Sequence, residues 1–139
     1  MQPYRRPLAP QEIDQELVWL VVSLGGFLGL AVWFAARLPT PHCIFHSLTG
    51  LPCLTCGATR SAYQFLRGHF VASFLFNPLA FVAYCVVIAF DLYALAVLVT
   101  GAPRLRFGKF SRTEKLLARS AVIVLLAANW TYLLTARPF

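Results

Sequence analysis

Three apolar runs, each about as long as a bilayer is thick, dominate this 139-residue chain and constrain its fold more than any other feature. Residues 17–36 carry no charge, residues 78–100 are interrupted only by Asp91, and residues 116–136 hold Arg119 near the start and Asn129 further in. At about 1.5 Å of rise per residue, a helix of about 20 residues covers roughly 30 Å of hydrocarbon. Composition agrees, since 59% of the residues are hydrophobic and only 12% are charged, too few to coat a soluble domain of this size. The expected fold is an all-α integral membrane domain. It has three transmembrane helices and a short interfacial amphipathic helix that follows a Cys-rich loop.

The remaining segments punctuate those runs. Residues 1–16, with Pro3, Pro7 and Pro10, read as an extended arm with a helical lead-in, and residues 37–57 as the Cys-rich loop. The interfacial helix region is residues 58–76, where Ala58, Ala62, Phe65, Leu66 and Phe70 recur at helical spacing and Gly68 is a C-terminal stop. Asn77-Pro78 supplies an N-cap and a first-turn proline for the second span. Residues 101–115 form a basic connection between the second and third spans. The first run is too long for a signal-peptide core and follows an arm containing Glu12, Asp14 and Glu16, which points to an uncleaved anchor. Trp19 and Trp33 sit near its two ends, and Gly25 and Gly29 form a small-xxx-small pair in its middle.

Orientation is read from the positive residues. The connection 101–115 contains Arg104, Arg106, Lys109, Arg112 and Lys115 against Glu114, which the positive-inside rule assigns to the cytoplasm. Three spans then leave the N-terminus cytoplasmic and the Cys-rich loop outward, in a multi-pass membrane protein. The net charge of +7 lies beside the spans, where it meets lipid headgroups rather than nucleic acid.

The outer loop carries the chemistry. Cys43, Cys53 and Cys56 lie there beside His42 and His46, and four readings stand side by side. Cys43-x2-His46-x6-Cys53-x2-Cys56 offers three sulfurs and an imidazole, a tetrahedral zinc set. A disulfide among Cys43, Cys53 and Cys56 suits an oxidising compartment. Thiol–disulfide redox chemistry suits Cys53 and Cys56 at the start of a helix, with Arg60 stabilising the thiolate. Neutral packed thiols are the fourth reading, and Cys85 within the second span belongs with them. No Cys-x-x-Cys-His occurs, so the motif for covalent haem attachment is absent. His42, His46 and His69 share the outer side, where imidazoles can meet a pigment or haem, although nothing in their spacing selects that use.

Within the spans, Asp91 is the one acid, and an isolated carboxylate at that depth is costly. Arg119 and Asn129 in the neighbouring span are the expected partners in an interhelical polar clamp.

The run Cys43-x-Phe45, Thr49-Gly50-Leu51-Pro52-Cys53-x-x-Cys56-Gly57-x-Thr59-Arg60, followed by Gly68-His69 and Asn77-Pro78, resembles the small bacterial membrane proteins grouped as domain of unknown function 2752. The resemblance covers about residues 43–78. Family members usually read Cys-Pro where this chain has Cys43-Ile44, and Cys-Pro-Gly-Cys where it has Cys53-Leu54-Thr55-Cys56. The resemblance implies a membrane fold and brings no activity with it.

The sequence contains no nucleotide-binding loop, catalytic triad or paired carboxylates. The expectation is a non-enzymatic accessory or scaffold subunit of a larger bacterial membrane complex, respiratory, photosynthetic or envelope-associated, capped by the cysteine loop. A membrane thiol–disulfide oxidoreductase using Cys53 and Cys56 is the alternative.

Overall fold

The computed structural model describes residues 3–6, 13–39, 43–107 and 111–136; the side chains of residues 3–6, 46 and 105–107 fall outside that description. In chain order the elements are β1 (Pro3–Arg6), α1 (Gln15–Ala35), α2 (Ile44–Thr49), α3 (Ala58–Leu66), α4 (Phe70–Phe76), α5 (Pro78–Thr100), β2 (Arg104–Phe107) and α6 (Arg112–Ala136). Helices α1, α5 and α6 are each long and apolar enough to cross a membrane. Their flanks explain where they begin. Asp14 caps α1 by accepting the Leu17 amide at 3.3 Å, and Asn77 caps α5 by accepting the Ala80 amide at 3.0 Å ahead of the Pro78 first turn.

Two of these long helices, α1 and α5, lie between β1 and β2 in the chain, so the two strands come to the same end of the bundle. They pair antiparallel, with Tyr4 opposite Arg106 and Arg6 opposite Arg104. This ribbon adds to the helical fold read from the sequence, which had an extended arm and a basic connection but no pairing between them. Arg104 closes the end. Its guanidinium pairs with Asp14, and its Nε lies 3.4 Å from Glu16 Oε2, close enough for charge attraction although the Nε–H makes no hydrogen bond. Glu16 is buried, so the attraction acts where water screens little.

At the opposite end, α3 and α4 pack on each other and on the first half of α5. The interfacial region is two helices rather than one. Gly68, at φ +79°, takes the left-handed position that ends α3, and α4 starts two residues later. Ser61 and Ser73 lock the pair, each hydroxyl donating to the other residue's carbonyl at 2.8 Å. Phe65 meets Phe70 of α4 edge-on at a centroid distance of 5.4 Å and joins this layer to α5 through edge contacts with Phe81 at 5.7 Å and Tyr84 at 5.5 Å.

The long helices bury little of their apolar surface. Leu28 is 66% exposed and Ile123 is also 66% exposed, faces that hydrocarbon covers as readily as protein does. Between α1 and α5 the Ser23 hydroxyl forms a polar link, donating to Asp91 Oδ1 at 2.6 Å. The clamp of Asp91, Arg119 and Asn129 drawn from the sequence is therefore not the arrangement found. Asn129 bonds the Leu79 amide at 3.1 Å, and Leu79 lies about 18 Å of helix from Asp91. Arg119 is exposed on α6. Helices α5 and α6 run antiparallel, so residues at similar distances into the sequence runs need not share a depth.

Candidate functional site

The three loop cysteines converge at the end of the bundle opposite the ribbon. Cys43 directly precedes α2, and Cys53 and Cys56 bracket the turn that leads into α3. Gly50, at φ +69°, bends the chain out of α2 and sends it back toward Cys43. As a result the three Sγ atoms all lie within 4.8 Å of one another, and Cys43 Sγ and Cys53 Sγ are 3.3 Å apart. All are free thiols; Cys56 is buried, and Cys43 and Cys53 are partly so.

The turn is held by its backbone. The Asn77 amide donates to the carbonyls of Cys56 at 3.0 Å and Leu54 at 3.3 Å. The Asn129 amide donates to the same Leu54 carbonyl at 3.3 Å, and the Trp130 indole N–H donates to that of Pro52 at 3.0 Å. Just beyond the turn, the Tyr84 hydroxyl donates to the Ala58 carbonyl at 3.0 Å. Gly57, at φ +79°, packs so closely on α4 that a Cβ there would stand 2.7 Å from the Phe76 carbonyl oxygen. Two spans and α4 thus fix a turn that would otherwise carry unsatisfied carbonyls.

This environment separates the two thiols of Cys-x-x-Cys. Burial acts to raise Cys53, but the Thr55 hydroxyl at 3.4 Å, the Cys43 thiol and the Thr55 amide outweigh it and bring the thiol down to about 7. Burial pushes Cys56 up to about 11, and the neighbouring Cys53 adds to the rise.

The other residues singled out in the sequence divide around this cluster. Arg60 is exposed in the first turn of α3, the helix whose N-terminus follows Cys56. His46 belongs to α2, but its side chain lies outside the described residues, as does the whole of His42. His69 Nδ1 is 2.9 Å from Gln64 Oε1, an exposed contact beside Gly68. Cys85 is exposed on α5 and is not part of the cluster. Sequence reasoning did not connect Asn129 or Trp130 to the cysteine turn, and it gave Asn77 only its capping role. The one signal available was that Asn129 is a polar residue inside a span, which must find a partner.

Three long apolar helices, closed at one end by a clamped thiol turn, define a small multi-pass membrane protein. Residues 43–90 match the family model described as "Protein of unknown function (DUF2752)", in agreement with the family resemblance read from the sequence. No curated protein and no solved structure gives a significant match to the chain.

Proposed function

We propose that this chain is a non-enzymatic accessory or scaffold subunit of a larger bacterial membrane complex, with the cysteine turn as its rigid outer cap. In this reading it sits in the cytoplasmic membrane, with the β1–β2 ribbon and basic connection inside and the thiols outside. The observation that carries it is the anchoring of the turn by Asn77, Asn129 and Trp130. A surface built this way is ordered before any partner arrives, so a partner docking on it need not meet the entropic cost of ordering it. The largely uncovered faces of α1, α5 and α6 suit lateral contact with other helices. Native electrophoresis of gently solubilised membranes tests the reading: the chain should migrate within a larger assembly, and Asn129→Ala should reduce that assembly. Migration as a lone chain under every mild detergent would overturn it.

One observation favours a second reading, thiol–disulfide exchange. Cys53 is the more acidic thiol and has Cys43 at 3.3 Å. The Cys53 thiolate would attack a disulfide of a substrate protein, forming a mixed disulfide and releasing one substrate thiolate. Cys43 would then attack the Cys53 sulfur, leaving a Cys43–Cys53 disulfide and a fully reduced substrate, with two electrons passed to it. Cys53→Ser separates the two readings. Retained assembly with loss of a redox phenotype supports exchange, whereas loss of partner accumulation supports the cap.

A further inference from the structure

We propose that Cys43, Cys53 and Cys56 bind a thiophilic d10 cation of the zinc class as the centre of the outer cap. The inference rests on the cap reading above and adds the occupant. A disulfide or a dithiol exchange employs two sulfurs, yet here three converge, and the third, Cys56, is buried beside the other two. Tetrahedral zinc with metal–sulfur bonds of about 2.3 Å sets its sulfurs about 3.8 Å apart. The 3.3 Å approach of Cys43 and Cys53 and the 4.8 Å limit on every pair bracket that spacing, so small side-chain rotations are enough to reach it.

The surroundings favour thiolates around a cation. The backbone on both sides of Cys53 and Cys56 is fixed by Asn77, Asn129 and Trp130, so two ligands are held before a metal arrives. The N-terminus of α3 begins directly after the turn, so its positive dipole end adjoins Cys56 in the chain. Three thiolates and a divalent cation leave a single net negative charge, and each thiol gives its proton to solvent as the metal binds. Sulfur ligands select zinc-class and cuprous ions over magnesium or calcium. The fourth position is left to water or to a donor outside these three.

The test uses the full chain, purified in mild detergent without chelator, with metal content measured and Co2+ then used as the probe. Stoichiometric zinc is expected. Co2+ should give sulfur-to-cobalt charge-transfer absorption that Zn2+ bleaches. Cys53→Ser and Cys56→Ser should weaken Co2+ binding by at least about tenfold, while Cys85→Ser leaves it unchanged. Circular dichroism and size-exclusion chromatography check the fold of each variant. Should a Cys variant fail to fold, Asn129→Ala, which keeps every sulfur, should still loosen the metal. Absence of charge transfer with all three thiols titratable would overturn the metal site; the cap reading would survive if the native assembly is intact. A Cys43–Cys53 disulfide trapped by alkylation before lysis would overturn it as well. Co-purified copper that Zn2+ cannot displace would overturn the zinc-class assignment.

Discussion

The Asn129 side-chain amide of α6 donates to the carbonyl of Leu54 at 3.3 Å, tying the last span to the middle of the Cys-x-x-Cys turn. Its oxygen meanwhile accepts the Leu79 amide at 3.1 Å, one of the first-turn N–H groups of α5 that have no partner within the helix. One residue thus joins three separate pieces of the chain.

Replacing Asn129 by alanine should therefore do more than remove one bond. The Leu54 carbonyl keeps Asn77, but the half-buried Leu79 amide loses its partner. A cost of about 1 kcal/mol is expected for that part-buried donor. Thermal unfolding in detergent should move to lower temperature, and alkylation of Cys56 should accelerate as the turn loosens. An unchanged Cys56 rate with a lowered melting point would mean that Asn129 supports α5 and not the turn.

Gly57 and Gly68 offer a controlled comparison. Both sit at φ +79°, so alanine is strained at either position by roughly 1–2 kcal/mol. Only at Gly57 does the added Cβ also meet backbone, at 2.7 Å from the Phe76 oxygen; at Gly68 it meets open space. Gly57→Ala should therefore destabilise clearly more than Gly68→Ala, as read by thermal midpoints or by accumulation in membranes. Equal effects would show that α4 yields easily and that the close approach does not hold the turn.

Much of this fold was legible because lipid simplifies the code. Long uncharged runs show as spans, and Asn77-Pro78 shows as a helix start, from local chemistry alone. The three cysteines stood out by residue type and spacing. The pairing of β1 with β2 depended on which segments the spans bring to the same end, and short polar-flanked strands leave no periodicity of their own. The polar residues of the spans were harder still. Asp91 and Asn129 were both visible as needing partners, yet partner choice depends on helix rotation and depth. Asp91 found Ser23, a residue that looks unremarkable in the sequence, and Asn129 found the backbone of a loop.

The Ser23–Asp91 contact yields a third prediction. Ser23 also donates toward the carbonyls of Trp19 at 2.8 Å and Leu20 at 3.1 Å, so its hydroxyl is shared between its own helix and α5. Ser23→Ala removes the interhelical share and leaves Asp91 to find another donor. The loss should be modest, on the order of 1 kcal/mol, as for other hydrogen bonds between membrane helices. A cross-linking pair placed across α1 and α5 should form more slowly in Ser23→Ala. Asp91→Leu should restore stability to the Ser23→Ala background by removing the unpartnered carboxyl. Continued loss in the double variant would assign Asp91 a role beyond this contact.

The two thiols of the turn should differ in their response to pH in protein stripped of metal. Cys53 titrates at about 7, so its alkylation rate should rise through neutral pH and level off above it. Cys56 is held up to about 11, so it stays protonated and slow across the same window, and its burial slows it further. The sign for Cys53 depends on Thr55, whose hydroxyl lies 3.4 Å from the sulfur and favours the thiolate. Thr55→Val should shift the Cys53 midpoint upward and leave the Cys56 profile nearly unchanged. Site-resolved alkylation kinetics, followed by peptide mass spectrometry, measure both profiles at once. Coincident profiles would show that the turn does not distinguish its thiols, and the exchange reading would lose its attacking group.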